Sequence, residues 1–207
     1  MKIIKGSVDS KILKLARPDA IKMVNNKKSL GIVGGEFAIT FDEDDLPIST
    51  LLGSCVSVMI YDKSLKIKGM NHFLLPSSCS SNGSSCRFGL NAMEVMLNEM
   101  YKLGSKKENL TAKIAGGATM IKNLTNNIGE QNVNFARHFC SIEKIPIIAQ
   151  SVFGNNGRVI MLDSDFNTFT RTIINRSMDE QIAKADRSFA EVANKAEEIS
   201  KQDTILF

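Results

Sequence analysis

Apolar positions between residues 31 and 75 come in short dense runs separated by glycine, serine and acidic residues. That is the spacing of buried strands rather than of helices. GIVGGEFAIT at 31–40 has strand character broken by a glycine pair, and an acidic turn at 42–45 followed by Pro47 ends it. ISTLLGSCVSVMIYD at 48–62 is rich in Ile, Val, Leu and Ser without a helix cap, which predicts buried strands around a tight Gly-Ser turn. IKGMNHFLL at 67–75 predicts another buried strand, and the Ser/Gly/Asn/Cys stretch 77–86 predicts a loop.

The period then changes. Phe88, Ala92, Met96, Met100 and Leu103 recur at helical spacing, with Gly104 as C-cap. Residues 110–114 predict a strand running into Gly116-Gly117, 128–142 a second helix and 145–152 a strand. Gly154-Asn155-Asn156-Gly157 carries hairpin-turn chemistry, so 158–162 is expected to return as a hairpin partner, with 166–174 as an edge strand. From Ser177 onward Ile182, Ala185, Phe189, Val192, Ala196 and Ile199 follow heptad-like spacing among charges, and the chain ends on Ile205-Leu206-Phe207. This pattern fits either a surface helix docked on the domain or a partner-binding helix with a terminal peptide tag. Residues 1–30 are polar and basic with scattered apolar positions, and are expected as a loosely attached extension with one helix across 9–16. The expected organisation is an N-terminal extension at 1–30, one α+β domain at 31–176, and a C-terminal helix with an apolar tail at 177–207.

Composition narrows the class. The 207 residues suit one domain with extensions, and 43% hydrophobic residues exclude a disordered chain. A net charge of +4 without long basic runs or interleaved aromatics argues against nucleic-acid binding. No apolar run approaches the roughly 18 residues of a membrane span, and no secretory signal opens the chain. A cytoplasmic protein that does not insert into membranes is expected, with its four cysteines as thiols. Two histidines, His72 and His138, exclude a histidine-rich metal site and leave two candidate imidazoles.

Chemistry concentrates at Thr50-Leu51-Leu52-Gly53-Ser54-Cys55-Val56. A cysteine after a Gly-Ser turn sits where backbone N–H groups can converge as an oxyanion site, with Gly53 and Ser54 forming the turn. His72 lies in the next predicted strand, and adjacent strands bring two side chains together when both face one side. A thiol beside an imidazole can form a thiolate–imidazolium pair, and a hydroxyl from Thr50 or Ser49 can orient the ring. The same residues also fit a plainer account, with Cys55 a small buried hydrophobe and His72 a hydrogen-bonded core residue. Cys79 and Cys86 flank the Ser-rich loop with poor spacing for zinc. His138 falls in the second helix as a surface or half-buried residue. Gly116-Gly117 lacks the lysine and serine of a phosphate loop and reads as a packing turn, and Met93, Met96 and Met100 read as a core stripe.

TLLGSCVSVMIYD followed by GMNHFLLP closely resembles the CheD family of chemoreceptor glutamine deamidases. Residues 87–93 (RFGLNAM), Leu103-Gly104, 112–118 (AKIAGGA) and 128–133 (IGEQNV) resemble further family motifs in register, over about two-thirds of the chain. The resemblance implies a cysteine hydrolase with Cys55 as nucleophile, His72 as base and Thr50, or alternatively Ser49, as the third member. It implies hydrolysis of glutamine side-chain amides on methyl-accepting chemotaxis receptors without metal or cofactor, and methyl-ester hydrolysis as a possible second activity. It also implies a fold of stacked mixed or antiparallel sheets flanked by helices, similar to the cytotoxic necrotizing factor catalytic fold, and in some systems a CheC-type phosphatase partner. The competing class is a non-catalytic chemotaxis adaptor that uses the C-terminal helix for its contacts.

Overall fold

The structure is a computed structural model that describes residues 3–7, 14–15, 21–24, 27–40, 46–75, 87–120, 128–174 and 176–203. The fold is mixed α+β: two mixed sheets and, among the described residues, three α-helices. Twelve strands are described: β1 (Ile3–Ser7), β2 (Lys14–Leu15), β3 (Ile21–Val24), β4 (Lys27–Gly31), β5 (Glu36–Thr40), β6 (Ile48–Leu52), β7 (Val56–Asp62), β8 (Ile67–Asn71), β9 (Leu110–Gly116), β10 (Ile147–Val152), β11 (Arg158–Leu162) and β12 (Thr168–Thr172). The helices are α1 (Arg87–Lys102), α2 (Ile128–Ile142) and α3 (Arg176–Asp203). One sheet runs β10-β9-β7-β8-β5-β1-β2 and the other β12-β11-β6-β4-β3.

Strand alternation divides the core in two. Even-numbered residues of β7 (Val56, Val58, Ile60) point into a layer shared with α1 and α2, where Met93, Met96, Met100, Val133 and Ala136 are buried. The methionine stripe is therefore core, and burying each such side chain is worth about 2 kcal/mol. Odd-numbered Met59, together with Met70 of β8 and Leu74 just beyond it, faces Leu30, Ile48 and Leu52 of the second sheet. The layers are thus helices, large sheet, small sheet.

The Gly-Ser turn does not join a hairpin. β6 pairs with β11 and β4 in the small sheet, whereas β7 pairs with β8 and β9 in the large one, so the chain changes sheets at residues 53–55. The 154–157 turn behaves the same way and corrects the hairpin expectation. β10 runs parallel to β9, and β11 crosses to pair antiparallel with β6 and β12. Hydrogen bonds from Phe153 N to Gly116 O (2.9 Å) and Thr119 N to Gly154 O (2.8 Å) hold the end of β10 to the β9 side. The Arg158 guanidinium caps the crossing by donating to the Ser151 carbonyl at 2.6 Å and to the Phe153 carbonyl. β12 is an edge strand, as its pattern predicts.

In the N-terminal segment, β1 pairs along its length with β5, and β4 runs parallel to β6 through Leu30↔Ile48 and Gly31↔Ser49. Lys14–Leu15, inside the expected 9–16 helix, is strand, because it pairs with Ile4 and Lys5 of β1. The rest of that expected helix, the 77–86 loop with Cys79 and Cys86, and the Ile205-Leu206-Phe207 tail lie outside the described residues.

Candidate active site

Cys55 and His72 come from the same sheet and face the same side. The β7–β8 register Met59↔Met70 is kept at an isolated bridge, Val56↔Phe73, closed by two backbone hydrogen bonds of 2.9 Å. Val56 and Phe73 therefore point to the helical layer, and their neighbours Cys55 and His72 point toward the small sheet. The His72 backbone is fixed on its other side by β5: His72 N donates to Glu36 O (2.9 Å) and Gly35 N donates to His72 O (2.8 Å). Both side chains line a cavity of about 350 Å³ at the seam between the sheets, with Thr50, Val33, Val159 and Asp186 among its other walls.

Thr50 reaches across that seam from β6. Its Oγ1 lies 2.8 Å from His72 Nδ1 and 2.8 Å from the Ile32 carbonyl oxygen. A hydroxyl has one proton, and the carbonyl can only accept. Thr50 therefore donates to Ile32 and accepts from Nδ1–H, which leaves the basic lone pair of a neutral ring on Nε2. Ser49 points to the opposite face of β6, where its Oγ lies 2.8 Å from Ser29 Oγ. Of the two candidate hydroxyls, Thr50 is the one in contact with the imidazole.

The turn that carries Cys55 is held from three directions. Asn132 of α2 donates from Nδ2 to Ser54 O (2.9 Å) and accepts from Leu75 N at Oδ1 (2.7 Å). Gly117 N donates to Cys55 O and Ala118 N to Gly53 O, each at 2.8 Å. Gly116 has φ +113°, and a Cβ there would collide with the Cys55 carbonyl, so the glycine pair is a packing turn directly beneath the thiol. Sequence reasoning gave Asn132 no role, although it stands at the start of a helix as a polar residue on an otherwise apolar face.

A second residue absent from the sequence reading is Asp186 of α3. Its Oδ1 accepts from Cys55 Sγ–H at 3.0 Å, while Oδ2 accepts from Ser54 N at 2.6 Å and from Ser54 Oγ at 2.7 Å. The carboxylate thus spans the thiol and the turn amide. A charged residue one helical turn after Ile182, on the same stripe, was the available sequence signal.

Burial sets the protonation. It pushes the Cys55 thiol well above its ordinary range, and the charge and hydrogen bond of Asp186 push it further. Burial pulls His72 down to about 4, with Asp186 working in the opposite direction. In this arrangement the pair is thiol and neutral imidazole, in place of the expected thiolate–imidazolium pair, because a buried site disfavours both charged forms. The other candidates lie elsewhere. Cys140 is buried in the helical layer, where desolvation raises its thiol to about 11, and His138 is exposed on α2. Among the described residues, no group of three or more His, Cys, Asp or Glu side chains is placed to hold a metal ion, and no helix is long and apolar enough to cross a membrane.

Comparison with known proteins agrees with the motifs. Residues 74–172 match the family model described as CheD chemotactic sensory transduction. A Ruegeria sp. protein named probable chemoreceptor glutamine deamidase CheD 1 is 42% identical over 64% of this chain and 70% of its own length. A Xanthomonas campestris protein named probable chemoreceptor glutamine deamidase CheD is 37% identical over 74% of this chain and 78% of its own. Among solved structures, the Bacillus licheniformis hypothetical protein YfiH covers 55% of this chain and 48% of its own at 16% identity, with a TM-score of 0.34, too low to assign a shared fold. With two relatives above 30% identity that it spans for more than two-thirds of their length, the chain belongs to the CheD family.

Proposed function

We propose that this protein is a chemoreceptor glutamine deamidase in which Cys55 is the nucleophile, His72 the general base and acid, and Thr50 the residue that orients the ring. The observation that carries this reading is the Thr50–His72 hydrogen bond beside the Cys55 thiol in one cavity. The relatives' names point to the substrate, a chemoreceptor glutamine, which we take to lie on a methyl-accepting chemotaxis receptor.

In this reading the Cys55 proton passes to His72 Nε2 as sulfur adds to the glutamine carboxamide carbon. The carbonyl oxygen, now negative, is held by the Ser54 N–H at the Gly53–Cys55 turn. His72 returns the proton to the departing nitrogen, which leaves as ammonia, and the acyl group stays on sulfur as a thioester. His72 then takes a proton from water as the hydroxyl adds, and the thiol leaves. Glutamine and water become glutamate and ammonia. No step requires a metal or cofactor, and a glutamyl methyl ester would give the same thioester. Each turnover adds a negative charge to a receptor helix, which shifts its packing balance.

Residues 31–176 would form the deamidase unit, with 1–30 as an extension that adds strands to both sheets and 177–207 as a C-terminal helix and apolar tail. The location would be the cytoplasm, and a CheC-type phosphatase would be a second partner. The stacked sheets would be a version of the cytotoxic necrotizing factor catalytic fold. The experiment is mass spectrometry of receptor helix peptides incubated with wild type and Cys55→Ala. Conversion of glutamine to glutamate by wild type alone supports the enzyme. Binding without conversion favours the adaptor.

A further inference from the structure

The proposed deamidase reading leaves α3 unexplained. This helix of 28 residues spans about 42 Å and lies across the mouth of the cavity. Its seating is fitted rather than loose. Asp179 accepts from Gly157 N at Oδ1 (2.9 Å) and from Asn156 Nδ2 at Oδ2 (3.0 Å). One turn on, Ile182 is 4% exposed and rests on the nucleophile turn. A Cβ built on Gly53 would lie 2.8 Å from Ile182 Cγ2 and 2.5 Å from Asp186 Oδ2, so only glycine lets the helix lie this close. One further turn brings Asp186 onto Cys55 and Ser54. Farther along the same stripe, Ala190 packs against the inter-sheet core.

Asp186 occupies the two positions the chemistry needs. One oxygen meets the thiol, and the other meets the N–H that would hold the oxyanion. A carboxylate there has the shape of the product and no group that a thiol can expel at neutral pH. The contact also needs the proton to stay on sulfur, since a thiolate and a carboxylate at 3.0 Å repel. The arrangement is therefore inert toward its own chain and holds the nucleophile in its unreactive form.

We infer that α3 is a tethered product analogue that closes the active site, and that a substrate helix must displace it from this groove before reaction. This rests on the deamidase reading for what the displaced helix competes with, but not for the occlusion of Cys55. The side chains α3 presents also define the groove: a hydrogen-bond acceptor, then a branched apolar residue one turn on, then the reacting side chain after another turn.

The test uses the full chain and measures iodoacetamide alkylation of Cys55, followed by peptide mapping so that the other cysteines do not interfere. Asp186→Ala removes the carboxylate on the thiol. Asp179→Ala removes an anchor that does not touch Cys55. Both are expected to speed alkylation, Asp186→Ala by roughly tenfold or more and Asp179→Ala severalfold, while both proteins keep a cooperative melt. Receptor-peptide deamidation should rise in the same order. Wild-type alkylation rates in both variants would overturn the inference. So would acceleration confined to Asp186→Ala, since that is local charge alone and not a helix that opens. Faster alkylation in both variants with no deamidation by any protein, wild type included, would uphold the closure and sink the deamidase reading.

Discussion

Asn132 and Ser54 are joined by a 2.9 Å hydrogen bond that ties helix α2 to the turn carrying the thiol. The other end of the same amide takes the Leu75 N–H, so one fully buried side chain sets the position of the turn relative to the end of the β8 segment. Asn132→Leu should leave Ser54 O and Leu75 N without this partner, at about 1–3 kcal/mol for each buried group. The expected outcome is a lower Tm together with a loss of kcat larger than any change in KM. A melt and peptide kinetics on one preparation check it.

Removing Cys55 or His72 addresses the chemistry itself. Cys55→Ala should fall to background deamidation. His72→Gln should lose roughly a hundredfold to ten-thousandfold in kcat, the range supplied by a positioned acid–base group. Both should keep the cooperative melt. Retained activity in either variant would contradict the assigned roles.

Thr50 and Ser49 give a sharper comparison. Thr50→Val keeps the shape of the side chain but takes away the oxygen at 2.8 Å from His72 Nδ1 and leaves the Ile32 carbonyl without its donor. A drop of roughly tenfold to a hundredfold in kcat is expected, with recovery in Thr50→Ser. Ser49→Ala, which disturbs only the contact with Ser29, should stay within a few-fold of wild type. Equal losses would deny Thr50 an orienting role.

His72 also makes stability depend on pH. Its folded value is about 4 and the ordinary value is 6.5. Between these the unfolded chain binds a proton that the folded protein does not, so stability rises with pH across that window and levels off above it. The full difference is at most about 3 kcal/mol. Urea unfolding from pH 4 to pH 7 should show this slope, and His72→Gln should flatten it. Cys55 titrates on the other side: its alkylation in wild type should still be rising above about pH 10.5, where an ordinary thiol has levelled off.

The strands and helices that are rich in apolar residues could be read directly from the pattern. β6, β7, β8, β9 and both α1 and α2 stand where periodicity puts them. Whether Cys55 and His72 share a face was left open by the pattern, and the β7–β8 register decides it. What could not be read was which sheet each strand joins. Periodicity reports whether a face is buried and not what covers it, so Gly53-Ser54 and Gly154–Gly157 look like hairpin turns although both carry the chain between layers. β1 and β2 escaped for another reason: IIKGS and KL are short and mix lysine with isoleucine, so their strand character comes from the partners they find. Asp186 was passed over because a carboxylate in an amphipathic helix is ordinarily solvated, and only the fold puts it 3.0 Å from a thiol.

Thr50 and Cys55 are five positions apart in sequence yet belong to different sheets, and the ring that Thr50 holds belongs to the sheet of Cys55. Neither layer contains a working set by itself. A nascent chain that has formed each sheet but not yet stacked them has a thiol without an oriented base. In the proposed triad the contact that orients the ring therefore exists only where the two sheets are stacked.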